Sequence, residues 1–236
     1  MGNEIRISQR RFPRSWIEVV QRARLLEVYP QVLVETLIDW LQRFARKGGR
    51  EQALSLMRSE PTAVEHALEA VAVTLRAYAG ACLDAGADGL FYATNLATRS
   101  LMSSAECRRF QRPYDLRVLG AVDGAPFNLL HVCGEGALFD EFLDYPVTAF
   151  SWATVAGNPT LSEGQLKTGR AVVGGFPAKP DIAGFTGAAL AERARSAIAE
   201  TGGRRLLLGP DCSINPDTPE PLLHAAGGAA REPRPA

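Results

Sequence analysis

Leu129-Leu130-His131-Val132-Cys133-Gly134 decides how this chain is read. A short apolar run from Phe127 to Val132 carries one of only three histidines near its end, then a cysteine, then a glycine. Periodicity alone does not separate strand from buried helix over so few residues. The shortness of the run and the flanking Pro126 and Gly134 favour a strand closed by a sharp turn. In an extended chain, residues two apart point to the same face, so His131 and Cys133 can converge on one point. A second isolated cysteine, Cys212, follows another apolar run, Leu206-Leu-Leu-Gly-Pro210.

Around that stretch lies an ordinary globular composition. A chain of 236 residues can bury a full core, and one α/β barrel domain fits as well as two small ones. Lys+Arg and Asp+Glu balance at 26 each, which gives no electrostatic case for nucleic acid or an anionic membrane. No apolar stretch approaches the roughly 18 residues of a membrane span, and Met1 to Ser15 lacks the apolar segment of a signal peptide. A cytoplasmic protein is expected. The four cysteines, at 82, 107, 133 and 212, lack a disulfide-like spacing and read as thiols or metal ligands. Cys82 and Cys107 fall in helical patterns and read as buried packing residues.

Residues 1–24 carry no clear period and are expected to form a poorly structured leader. Val28 to Arg46 is apolar at helical spacing (Val32, Leu33, Leu37, Trp40, Leu41, Phe44) and stops at Lys47-Gly-Gly-Arg50, as a helix end should. A short helix to Met57 and a long one from Pro61 to Gly86 follow, the latter with Val64, Leu68, Val71, Leu75, Tyr78, Ala79 and Cys82 as its buried stripe. Strands are predicted over 87–94, 127–132, 147–152, 170–176 and 206–209. Between them come helices over Ser103 to Val122 with a break at Pro113, Ala137 to Leu143, 161–168 and Thr186 to Thr201. A last helix covers Pro219 to Ala226, and the Gly/Ala/Pro/Arg-rich tail 227–236 is expected to be unstructured.

Five alternations of helix and strand with short connections imply parallel strands and βα units, in an open sheet or a barrel. No Gly-x-Gly-x-x-Gly and no P-loop follows any strand, which argues against nucleotide-binding Rossmann chemistry. A barrel of eight such units runs to about 250 residues, and some five strands are visible here. The remainder is absent or disguised towards the N-terminus.

In α/β barrels the chemistry sits in the loops after the strands' C-terminal tips. His131 and Cys133 end one strand, and Cys212 ends the last. Three ligands of imidazole and thiolate type leave a fourth position open on zinc, the catalytic form of such a site. A thiol entering that position would lose its proton and become a nucleophile at neutral pH. A core histidine beside a buried cysteine explains the same spacing.

Four motifs resemble, in this order, the uroporphyrinogen decarboxylase superfamily: Asn128-Leu-Leu-His-Val-Cys-Gly134, Asp144-Tyr-Pro-Val-Thr-Ala-Phe-Ser-Trp152, Ala171-Val-Val-Gly-Gly-Phe176 and Leu208-Gly-Pro-Asp-Cys-Ser-Ile-Asn-Pro-Asp-Thr-Pro219. Ala85-Gly-Ala-Asp-Gly89 with Leu101 to Phe110 fits the preceding unit, so the resemblance covers about residues 50–226. It implies an α/β, (β/α)8 TIM-barrel fold, here incomplete with five to six βα units, over a domain of residues 25–226. That superfamily holds porphyrinogen decarboxylases and zinc methyltransferases that move a methyl group from a corrinoid to a thiol such as coenzyme M. The methyltransferases bind zinc through H-x-C and a later cysteine, matched here by His131, Cys133 and Cys212. Decarboxylases carry a Gly-His-Gly stretch where this chain has Pro210-Asp211-Cys212.

The resemblance thus implies Zn²⁺, a methyl-corrinoid co-substrate on a corrinoid-binding partner, a small thiol substrate, and no nucleic-acid or membrane partner; a homodimer is compatible with it. The alternatives are uroporphyrinogen III decarboxylation in porphyrin biosynthesis, with a porphyrinogen substrate, and a truncated, non-catalytic remnant. Two departures stand out. Relatives begin with about two further βα units, bearing arginines and an aspartate, for which Met1 to Arg24 offers no counterpart beyond Phe12-Pro-Arg14. Relatives also carry an acidic residue after the Trp of the second motif, where this chain has Ala153; Glu135 or Asp181 could take that role. No residue is assigned as catalytic. Tyr92, Asn95, Trp152 and Asp211 are read as lining the substrate pocket, although Tyr92 and Trp152 would serve equally as core aromatics and Asp211 as a turn residue. Asp88 reads as a turn residue, His66 and His224 as surface or packing residues.

Overall fold

A computed structural model describes residues 49–177, 182–215 and 217–229, together with the backbone of 31–35. These residues fall into two compact units. Of the described residues, the first takes those up to Ala93 and Ala105–Asn128, the second Thr94–Ser104 and those from Leu129 onward. The expected leader over 1–24 lies outside the described residues.

In the first unit, strand β1 (Gln31–Glu35) runs parallel to β2 (Gly89–Thr94), with Val32 opposite Leu90 and Val34 opposite Tyr92. This corrects the helix expected over Val28 to Arg46: the described part is a strand, and the rest of that range lies outside the described residues. A sixth parallel strand was disguised there. The valines at 32 and 34 are β-branched, a type that suits a strand, and it is pairing with β2, not local spacing, that decides their state.

Helices α1 (Gly49–Ser59) and α2 (Pro61–Asp84) lie between these strands in sequence. Pro61 opens α2 at a position where its missing N–H costs no hydrogen bond. Val64, Leu68, Ala72, Leu75, Ala79 and Cys82 then recur every three or four residues and are buried. The helix read over Ser103 to Val122 is broken at Gln111 rather than at Pro113. It forms α3 (Ser104–Phe110), α4 (Arg112–Leu119) and a 3₁₀ turn, Gly120–Val122. Pro113 sits in the first turn of α4, where it starts a helix. Helix α4 packs along α2.

The second unit is a parallel sheet in the order β3 (Leu129–Val132), β4 (Ala149–Trp152), β5 (Ala171–Phe176), β6 (Leu206–Pro210). Helix α5 (Leu161–Thr168) connects β4 to β5, α6 (Gly187–Glu200) connects β5 to β6, and α7 (Glu220–Ala229) follows β6. The last helix therefore extends three residues into the stretch expected to be a structureless tail; residues 230–236 lie outside the described residues. Thr160 caps α5 with a capping box, its Oγ1 accepting from Glu163 N while Glu163 Oε2 accepts from Thr160 N. Phe176, Ile182, Leu190, Ala194 and Ala226 form the core between β5, α6 and α7. All four strands of this unit point the same way, so their C-terminal tips share one edge.

The expected helix over Ala137 to Leu143 is only a 3₁₀ turn, Phe139–Phe142. The chain just ahead of the turn is held by two long-range bonds: Ala137 N donates to Asn158 Oδ1 (2.8 Å) and Leu138 N to Ala97 O (2.8 Å). No helix among the described residues is long and apolar enough to cross a membrane.

Candidate metal centre at the strand tips

His131 is the third residue of β3, and Cys133 follows that strand directly. Pleating puts both side chains on one face, and the chain then turns at Gly134 with φ of +99°. A Cβ at Gly134 would stand 2.8 Å from Thr98 Cγ2, so both the backbone conformation and the close approach select glycine. Cys212 arrives two residues after β6 ends.

The three side chains meet. One ligand atom from each of His131, Cys133 and Cys212 lies within 4.8 Å of the others. The two sulfurs are 3.7 Å apart. Two thiolates on a tetrahedral zinc with bonds of about 2.3 Å stand about 3.8 Å apart, so the pair already has the separation such an ion requires. His131 is buried, and both cysteines are partly accessible. The Cys212 thiol is held far below its ordinary range, to about 3, by hydrogen bonding first from Cys133 and then from His131. A pre-formed thiolate of this kind suits a soft divalent cation. The donor set fits zinc in identity, number and spacing. Among the described residues, the convergent group has these three members; Glu135 is exposed on the turn beyond Cys133, and Asp181 lies outside the described residues.

Three loops carry the site, and polar side chains tie them together. Cys133 N donates to Thr94 O (2.8 Å). Asn158, in the loop after β4, donates through Nδ2 to Gly134 O (2.9 Å) and Ala153 O (2.9 Å), and its Oδ1 accepts from Ala137 N. Asp211 extends the β5–β6 ladder, its N–H donating to Phe176 O (2.8 Å), while its Oδ2 accepts from Thr154 N (3.4 Å). Asp211 thus binds the β4 loop to the tip that bears Cys212. Sequence reasoning missed Asn158, and it also missed Ser151, whose Oγ lies 3.1 Å from His131 Nδ1.

The other residues read as pocket-lining distribute differently. Trp152 is fully buried; its ring packs edge-on against Phe139 at 4.8 Å and its Nε1 donates to Pro159 O. It lies one residue beyond Ser151, hence on the opposite face of β4 from His131's neighbour, against α5 at Gly164. Its expected place in the pocket is corrected accordingly. Tyr92 is also fully buried and donates its hydroxyl to Asp115 Oδ1 of α4 at 2.7 Å, which makes it a core residue of the first unit. Asn95 is half-buried, directly after the end of β2. Cys82 and Cys107 are buried, as expected of packing residues; burial pushes the Cys82 thiol up.

A family model for uroporphyrinogen decarboxylase (URO-D) matches residues 45–232, most of the chain and all three convergent residues. The chain belongs to the URO-D family. No curated protein matches it. Among solved structures, this URO-D chain is similar to a methyltransferase from Methanosarcina mazei, with a TM-score of 0.75 and 20% identity over 91% of its own length. It spans 62% of that methyltransferase. The similarity shows the fold: an α/β parallel sheet with alternating helices, part of the TIM barrel of the URO-D superfamily.

Proposed function

We propose that this URO-D family protein is a zinc-dependent methyltransferase, which moves a methyl group from a methyl-corrinoid to a thiol. The observation that carries the reading is the convergence of His131, Cys133 and Cys212, with sulfurs at a tetrahedral separation. Similarity to a methyltransferase supports the branch, and the absence of a Gly-His-Gly stretch at β6 fits it.

His131, Cys133 and Cys212 would hold the ion, neutral imidazole and two thiolates balancing its charge and leaving a fourth position open. Zinc bound there would supply the Lewis acidity that keeps a thiol substrate deprotonated at neutral pH. The chain's own residues set the geometry. Asn158 and Asp211 lock the loops after β3 and β4 to the tip of β6, so the ligands are pre-placed. Partial exposure of both cysteines leaves them reachable by a small thiol. The corrinoid is large, and we assign its delivery to a partner protein docking at the strand tips. The site is read as cytoplasmic, where low-molecular-weight thiols are abundant and cysteines stay reduced.

The test is loss of the methyl–cobalt absorption of methylcobalamin when the zinc-loaded protein is offered a panel of thiols. Thiol-dependent demethylation that disappears in Cys133→Ser supports the proposal. Decarboxylation of a porphyrinogen by metal-free protein, with no methyl transfer, would establish the other family activity instead.

A further inference from the structure

We propose that Ser151 is the positioning residue of the metal centre: its hydroxyl takes up Nδ1–H of His131 and so reserves Nε2 for the metal. The inference rests on the zinc reading above and assigns a role to a residue which that reading does not use.

His131 and Ser151 are register partners on the parallel strands β3 and β4, which puts their side chains on the same face. His131 Nδ1 and Ser151 Oγ lie 3.1 Å apart, and the two residues are 5% and 2% exposed, so water does not compete effectively for either group. A neutral imidazole carries one N–H and one lone pair. A metal takes the lone pair, so the other nitrogen must hold the proton and needs an acceptor. Ser151 Oγ is placed to be that acceptor. Metal-bound histidines commonly make such a contact, and it fixes both tautomer and ring orientation. The partner here is a hydroxyl and not a carboxylate. It orients the ring without adding negative charge beside the two thiolates, and would leave a bound ion more electrophilic toward an entering thiol.

The test uses the full chain, zinc-loaded and metal-free. In the wild type, long-range ¹H–¹⁵N spectra of the imidazole should show Nδ1 protonated and Nε2 shifted by the metal, which needs no variant. Ser151→Ala should weaken zinc binding by about 10–100-fold in competition with a chromophoric chelator. It should also mix the tautomers of metal-free His131, while Ser151→Thr, which keeps the hydroxyl, should restore most of both. A merely structural role for Ser151 would not move the tautomer. Unchanged zinc affinity in Ser151→Ala, or zinc on Nδ1 in the wild type, overturns the assignment and leaves the metal reading standing. A folded wild type that takes up no zinc overturns both.

Discussion

Cys133 and Cys212 lie 79 residues apart in sequence, yet their sulfurs are 3.7 Å apart. Nothing local brings them together. Parallel alignment puts the C-terminal tips of β3 and β6 at the same end of the second unit, with β4 and β5 between them, and the chain beyond each tip completes the approach.

That proximity separates the four cysteines by reactivity. Cys133 and Cys212 are partly accessible, and Cys212 is held as a thiolate well below neutral pH, first by Cys133 and then by His131. Cys82 and Cys107 are 1% and 0% exposed. Iodoacetamide at mildly acidic pH should therefore modify Cys212 first. Cys82 and Cys107 should label only after unfolding, and stoichiometric zinc should protect the Cys133–Cys212 pair. Peptide mass spectrometry reads each site; uniform labelling of all four in the folded chain would contradict the arrangement.

Asn158 is the strut of the site. Its three hydrogen bonds join the loop after β4 to the turn after Cys133. Asn158→Ala leaves Ala137 N, Gly134 O and Ala153 O without that partner, and should destabilise the protein by about 1–3 kcal/mol. Zinc affinity should fall as the Cys133 turn loosens. Urea unfolding and chelator competition measure the two effects; a variant equal to wild type in both would remove Asn158 from the site's support.

Trp152 needs glycine on the helix above it. A Cβ at Gly164 would stand 2.1 Å from the indole ring. Replacing a helical glycine by alanine ordinarily gains up to about 1 kcal/mol, whereas forcing a methyl into a packed core costs about 1–3 kcal/mol. The clash is with a fully buried ring, so the cost should win. Gly164→Ala should lower the denaturation midpoint, and a raised midpoint would show that α5 is free to shift away.

Much of this was legible in the chain itself. The strand ending at Val132 and the helix over 161–168 were readable because short apolar runs and capping signals are local. What escaped was decided at a distance. Val32 and Val34 belong to a strand because β2 pairs with them. Ala137 to Leu143 holds only the 3₁₀ turn Phe139–Phe142, and the chain just ahead of it is tied to Asn158 and Ala97, distant in sequence. The same division holds at the site. His131, Cys133 and Cys212 carry their chemistry in their residue types, and the structure brings the three together. Ser151 and Asn158 are ordinary residues whose roles exist only in register and hydrogen bonding. Trp152 was misplaced because one step along a strand reverses the face it occupies.

The most direct test of the central claim is the zinc content of the purified, folded protein, measured by mass spectrometry of the metal with Cys212→Ser in parallel. About one zinc per wild-type chain, lost in the Cys212→Ser variant while its fold persists, is the expected result. A well-folded wild type that binds no zinc even when supplied with it, or a variant that binds as much as the wild type, would contradict it.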